Sequence, residues 1–303
     1  MFGVYFGKYL VDKGVIKKEE LNAVLEDNRA IRHKMGLTAV ELGFMTEEQA
    51  QEINKMQQQM DKRFGDIAIE KGYLTRDQVV ELVNMQGNEY SLFVGNLACQ
   101  GILDEEEINR QLENYRRDYG FTDIEFNAIK YGNIDGIIKY YTKEDDYPDI
   151  VKEYISLTTR NIVRFVDSEV RIDAIEKLDS FEAAFMSAQA MEGDFKLFTA
   201  FSGPGMKTAV EAIERTFSDL SEELVLGDIV DAACEFLNVN NGLFATMLGD
   251  KDEGDMDVDM LPPEMYPEEV KVTADSKVYV ATFSALDAEL KLVICMGENY
   301  RIN

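Results

Sequence analysis

Leu226-Gly227-Asp228-Ile229-Val230-Asp231-Ala232-Ala233-Cys234-Glu235-Phe236-Leu237-Asn238-Val239-Asn240-Asn241-Gly242 is the stretch that decides how this 303-residue chain is read. Asp231, Glu235 and Asn238 stand four and three residues apart. An α-helix turns once in about 3.6 residues, so positions i, i+4 and i+7 share a face. That face carries two carboxylates and an amide. Ile229, Val230, Ala232, Ala233, Phe236 and Leu237 are apolar and can bury the opposite side. Asp228 is the expected N-cap and Gly242 the expected C-terminal stop.

The flanking sequence supplies a domain around this helix. Residues 149–167 place Ile150, Val151, Tyr154, Ile155, Ile162, Val163, Phe165 and Val166 at helical spacing. Two runs rich in Phe and Ala, 181–190 and 194–202, flank Glu192-Gly193-Asp194 and predict a β-hairpin. Ser202-Gly203-Pro204-Gly205 breaks the second strand. A helix is expected from there to about Leu220, with Met206, Ala209, Val210, Ile213 and Phe217 on one side. Beyond the motif helix, 270–272, 277–284 and 289–296 read as strands. The expected fold class is therefore α+β, with an antiparallel sheet covered by helices.

The motif resembles the signature of the CheX/CheC/FliY chemotaxis phosphatases: Asp or Ser, three residues, Glu, two residues, Asn, often with Gly four residues later. Asp231, Glu235, Asn238 and Gly242 fill the four places. The element order is similar to that of CheX, and 257–262 resembles the family's approach to its later strands. By this resemblance, Glu235 and Asn238 enter the active site of a phosphorylated CheY-like response regulator. Asn238 orients the attacking water, Glu235 pairs with the regulator's Lys, and Asp231 supports the helix face or contacts the partner. The regulator supplies the aspartyl phosphate and Mg²⁺, so this chain needs no cofactor or metal of its own. Such a division suits phosphoryl transfer, where catalysis is mostly positioning and electrostatics. CheC-type members carry two signatures, whereas one is found here, as in the CheX type. CheX-type domains dimerise through their sheets, so a homodimer is implied. The alternative within the same fold is a non-catalytic adaptor.

The front of the chain repeats with a period of 29 residues. Gly7, Gly36 and Gly65 keep that spacing, with Val94 in the fourth place, and Gly14, Gly43, Gly72 and Gly101 keep it without exception. Each second glycine is followed by an apolar residue (Ile16, Met45, Leu74, Leu103) and then by an acidic helix start. Thr46 with Gln49 and Thr75 with Gln78 have capping-box spacing. The unit reads as helix, glycine turn, N-cap, helix, with the second glycine as a left-handed stop. A fixed period of this size implies stacked units, each too small to bury its own face.

Lys34 to Gln57 is 24 residues, five residues follow, and Arg63 to Gln86 is again 24. This spacing resembles the MshEN domain of type II secretion and pilus ATPases, some of which bind cyclic di-GMP. The resemblance makes Lys34, Gln57, Arg63 and Gln86 candidate ligands for that nucleotide and offers a second alternative, a cyclic di-GMP receptor acting through the repeats. The outer repeats lack the pattern: Tyr5 and Leu92 replace the cation, Asn28 and Tyr115 the glutamine. A docking or regulatory role is the other reading of the module.

The domain expectation is four MshEN-like helical repeats in 1–117, a helical linker in 118–147, and a CheX-like domain in 148–303. A net charge of −27, mostly beyond the repeats, argues against a nucleic-acid polymer as partner. No apolar run reaches the length of a membrane span, and no signal-peptide pattern is seen, so a cytoplasmic protein without membrane insertion is expected. Cys99, Cys234 and Cys295 sit among apolar residues and are expected as buried thiols. The acidic run 251–259 lacks calcium-loop spacing and is expected as a solvated loop. His33, between Arg32 and Lys34 in a loop, is assigned no catalytic role.

Overall fold

The computed structural model describes residues 1–31, 35–57, 59–86, 89–144, 146–204, 226–251, 258–285, 288–297 and 299–303. For 30–31, 84–86, 226–232 and 250–251 it describes the backbone alone. The chain divides into two compact units, Met1–Gly136 and Ile137–Asn303. The fold class is α+β: helices first, then an antiparallel sheet with helices.

The first unit holds α1 (Phe2–Asp12), α2 (Lys18–Ile31), α3 (Met35–Glu41), α4 (Glu47–Gln57), α5 (Phe64–Glu70), α6 (Arg76–Gln86), α7 (Glu89–Cys99), α8 (Glu105–Asp118) and α9 (Asp123–Lys130). The second glycine of each repeat is the stop the sequence predicts. Gly14, Gly43, Gly72 and Gly101 have φ of 68°, 70°, 71° and 67°. The amide after each glycine donates back to Leu10, Ala39, Ala68 or Leu97, closing the preceding helix. The capping boxes form as expected: Thr46 N–H donates to Gln49 Oε1 at 2.8 Å, and Thr75 N–H to Gln78 Oε1 at 2.8 Å.

The first glycines serve a different end. A Cβ on Gly7 would lie 2.2 Å from Leu21 Cδ1, on Gly36 3.0 Å from Phe64 Cζ, and on Gly65 2.8 Å from Val79 Cγ1. They let helices touch, and apolar side chains cover their bare faces.

The repeats nest and do not file. α4 packs on α5, and α3 on α5 and α6, so repeats two and three share a core of Ala39, Met45, Ile53, Ile67, Leu74 and Leu82. α2 packs on α7, and α1 on α7 and α8, which joins repeats one and four. The reason is aromatic: Phe2 and Phe6 of α1 meet Phe93 of α7 at ring-centroid distances of 6.2 and 6.5 Å, and Phe6 meets Tyr115 of α8 at 5.6 Å. The segment expected as a linker contributes α9, whose Phe126 packs on Tyr115, and α10 (Ile134–Tyr141), which straddles the division.

The second unit holds α11 (Asp149–Phe165), β1 (Arg171–Ala183), β2 (Met186–Gly193), β3 (Leu197–Ser202), α12 (Leu226–Lys251), β4 (Val258–Met260), β5 (Glu264–Tyr266), β6 (Val270–Ala285), β7 (Ala288–Met296) and β8 (Tyr300–Ile302). The strand order is β1-β6-β7-β3-β2-β4, with β5 also on β2 and β8 also on β6. All pairings are antiparallel. The predicted hairpin is β2–β3, with Met186 opposite Ser202 and Met191 opposite Leu197. Helices α11 and α12 pack together, and α12 lies on β2 and β3. A separate cluster on the sheet holds Ala188, Phe198, Val280, Val293 and Cys295, with Tyr300 stacked on Phe198 at 4.5 Å.

Several expectations need correction. The strands expected at 270–272 and 277–284 are one strand, β6, because β1 pairs with it from Ala183 opposite Val270 to Arg171 opposite Ser284. Residues 181–183 belong to β1, not to the hairpin. Of the three thiols only Cys295 is buried, where burial pushes its pKa up to about 12; Cys234 is half-buried, and Cys99, in the last turn of α7, is exposed. The helix expected after Pro204, the acidic stretch 252–257 and His33 lie outside the described residues. No described helix is long and apolar enough to cross a membrane.

Gly72→Ala places a Cβ in open space at positive φ, so its cost is conformational. It is expected to destabilise the helical unit by about 1–2 kcal/mol, read from the urea midpoint. An unchanged midpoint would show that the left-handed stop is dispensable.

Candidate functional site

The site is built on α12, which differs from the expected helix at both ends. It spans Leu226–Lys251, so Asp228 is not its N-cap and Gly242 is not its stop. Glycine in a helix interior costs about 1 kcal/mol against alanine. Here Leu243, Phe244 and Leu248 are buried beyond it, and the Phe244 ring meets Tyr154 edge-on at 4.9 Å. Burial of that extra length outweighs the local preference of one glycine.

The helix has two faces. Ala233, Phe236, Leu237, Asn240, Asn241 and Phe244 are buried, with Phe236 against Phe201 of β3 at 5.4 Å. Glu235 and Thr246 are exposed, and Val239 and Gly242 between them are half-buried. Asn238 is half-buried at the edge of the outer face. Among the described residues no cation pairs with Glu235. The backbone of Asp231 is on the same helix, and its side chain lies outside the described residues.

Asn238 is held from below. Gln189, at the centre of β2 and 2% exposed, donates through Nε2 to Asn238 Oδ1 at 2.5 Å and to the Leu261 carbonyl at 2.9 Å. Gln189 Oε1 accepts from Asn241 Nδ2 at 2.8 Å. Asn241 Oδ1 in turn accepts from the Tyr154 hydroxyl of α11 at 2.5 Å, and its Nδ2 also donates to Thr199 Oγ1 of β3 at 3.2 Å. A second branch runs from Asn161 Nδ2 to Asn240 Oδ1 at 2.8 Å and from Asn240 Nδ2 to Thr158 Oγ1 at 3.0 Å. Burial raises the Tyr154 pKa to about 12, against a smaller lowering by neighbouring polar side chains, so the hydroxyl stays protonated and keeps donating.

An amide oxygen has two acceptor positions and an amide nitrogen two protons. With one Oδ1 position taken by Gln189, Asn238 has, among the described residues, its other acceptor position and its NH₂ group left for a water or partner. The amide plane no longer turns freely, which is what orienting a small molecule requires.

Gly242 completes the rim. A Cβ there would be 3.7 Å from Met260 Cε of β4. Met260 and Leu261 are exposed apolar residues beside the helix, and Leu261 is tied to β2 by its N–H on the Ala190 carbonyl.

The repeat candidates belong to the first unit. Gln57 Nε2 donates to the Lys62 carbonyl at 3.0 Å, and Arg63 is the N-cap residue of α5. Lys34 and the side chain of Gln86 lie outside the described residues. Phe64 lies against Gly36 and Val79 against Gly65. Among the described residues no group of His, Cys, Asp or Glu could hold a metal ion.

Sequence reasoning missed Gln189, Asn240, Asn241, Tyr154 and Thr199. Two signals pointed to them: a glutamine between Ala188 and Ala190 in an apolar strand, and an asparagine pair just before Leu243-Phe244.

No family model and no curated protein matches the chain. Among solved structures, the second half of the chain is similar to the chemotaxis protein CheX from Desulfovibrio desulfuricans, at 14% identity and TM-score 0.40 over 50% of this chain and 100% of that one. CheX from Vibrio vulnificus is similar at 13% identity and TM-score 0.39, over 50% of this chain and 100% of that one. A chain of the CheX–CheY–BeF3–Mg²⁺ complex from Borrelia burgdorferi is similar at 11% identity and TM-score 0.33, over 49% of this chain and 98% of that one.

Proposed function

We propose that the second unit is a CheX-like phosphatase that hydrolyses the aspartyl phosphate of a CheY-like response regulator. The observation that carries this is the pairing on one helix of an exposed carboxylate, Glu235, with an amide, Asn238, whose plane is fixed from the sheet. In this role Glu235 docks against the regulator's lysine, and Asn238 sets a water in line with the phosphorus. The water oxygen bonds to phosphorus and the bond to the aspartyl oxygen breaks. The carboxylate leaves with the electron pair, and the water's proton passes to the phosphate product. The regulator's Mg²⁺ offsets the charge that develops on the phosphoryl oxygens. Asp231 either supports the helix face or touches the partner.

The test is the decay of a phosphorylated CheY-type regulator with and without this protein. Wild type is expected to accelerate it. Asn238→Ala is expected to lower the maximal rate about 100-fold, while Glu235→Ala chiefly raises the concentration needed for half-maximal effect. Binding to the regulator without acceleration would leave the adaptor.

A homodimer through the sheet belongs to the same proposal. Light scattering should give twice the mass of one chain, and a monomer at all concentrations would reject it.

Cyclic di-GMP is a second proposal, for the repeats. It is favoured by the packing of repeats two and three on each other through a shared core of α3, α4, α5 and α6, the helices that carry most of the two 24-residue motifs. A calorimetric titration is expected to show heat that Arg63→Ala abolishes. No heat with wild type would leave the repeats to protein docking or regulation.

A further inference from the structure

The polar residues buried beneath α12 are not needed to hold the sheet together, since β2 and β3 are already paired along their length. We infer that Gln189 is a positioning residue, one that fixes the Asn238 amide for the hydrolytic step; this rests on the phosphatase proposed above.

Gln189 is a buried glutamine whose amide makes three hydrogen bonds, two to α12 and one to the segment after β4. Its two Nε2 protons go to Asn238 on α12 and to the Leu261 carbonyl after β4, and its oxygen takes Asn241 Nδ2 one turn further along α12. An amide with all three groups engaged has one orientation, because turning it over would set NH₂ against Asn241 NH₂ and oxygen against the Leu261 carbonyl. That orientation passes to Asn238: only its oxygen can face Gln189 Nε2. The outward group is therefore always the NH₂ with the remaining oxygen acceptor position. An untethered asparagine at the edge of an exposed face would interchange the two ends.

Gln189 also joins α12 to the segment carrying Met260 and Leu261, so the rim keeps its distance from Asn238. Glu235, exposed and outside this network, is independent of the clamp. Loss of Gln189 should thus affect turnover and leave docking alone.

Gln189→Met keeps the side-chain length and removes the amide. With the phosphorylated regulator in single-turnover decay, it is expected to lower the maximal rate about tenfold or more, with the half-saturating concentration unchanged within about twofold. In an Asn238→Ala background it should lower the rate no further, because the amide it orients is gone. Thr158→Val, which removes the hydroxyl that accepts from Asn240 and donates to the Tyr154 carbonyl but leaves the three bonds of Gln189 in place, is the structural control: it should lower the melting temperature and leave the rate unchanged. Should Gln189→Met not fold, Gln189→Glu supplies the same comparison. A carboxyl group has at most one proton to donate, so it cannot hold both the Asn238 oxygen and the Leu261 carbonyl as the amide does, and the same rate loss is expected.

An active wild type with an unchanged Gln189→Met rate would overturn the clamp alone. So would equal rate losses in the wild-type and Asn238→Ala backgrounds. A wild type that accelerates no regulator would overturn the phosphatase, and with it the role given to Gln189.

Discussion

The hydrogen bonds of one buried amide, Gln189, set where the motif helix lies and how it is turned. Apolar packing alone would let α12 slide or rotate on the sheet at modest cost, since Phe236, Leu237, Leu243 and Phe244 are all large and interchangeable in kind. A polar network does not permit this. A shift of one residue turns a helix by about 100°, which would take Asn241 from Gln189 and Thr199, and Asn240 from Thr158 and Asn161. Each buried polar group left without a partner costs about 1–3 kcal/mol. The network therefore selects one arrangement, and that arrangement puts Glu235 outward and Asn238 at the edge.

The helical unit solves its own problem with local means. Each repeat ends its first helix at a glycine with positive φ and opens the next with a side-chain cap, or in the first repeat with Glu20 back on the Lys17 amide. Both devices act within about five residues of chain. What differs between repeats is apolar content: aromatic residues in the first and fourth draw α1, α7 and α8 together, while smaller ones fill the core of the second and third. One spacing thus supports two cores because the backbone geometry is fixed locally and the pairing is chosen by side-chain volume.

This explains which parts were legible in the sequence. The glycine stops, the two capping boxes, the β2–β3 hairpin and α11 are local, and their patterns survive in a single strand of text. The fold class followed from them, and Glu235 and Asn238 fall on the face their spacing indicates. The network was not legible, because Gln189 meets Asn238 across 49 residues and Tyr154 meets Asn241 across 87. Periodicity says which residues share a face, but not which polar residue on another element awaits them. The first part of β1 was missed for another reason. Its register shifts between Ile172 and Ala174 and between Leu178 and Ser180, so the alternation that marks a strand is interrupted twice. Gly242 misled because a glycine late in a helical pattern is a stop by local preference, and only the burial of Phe244 and Leu248 reverses that.

Gly242 then needs a reason other than termination. Its φ is not in the left-handed region, so helix geometry does not require it. Keeping glycine there costs about 1 kcal/mol of helix stability relative to alanine. A side chain larger than alanine would press on Met260, whose Cε lies 3.7 Å from the Cβ position. With glycine, no side chain rises from α12 at this point beside Met260. The docking proposed for Glu235 and Asn238 would use a low stretch of helix beside a clamped amide, which gives this glycine a reason that termination does not.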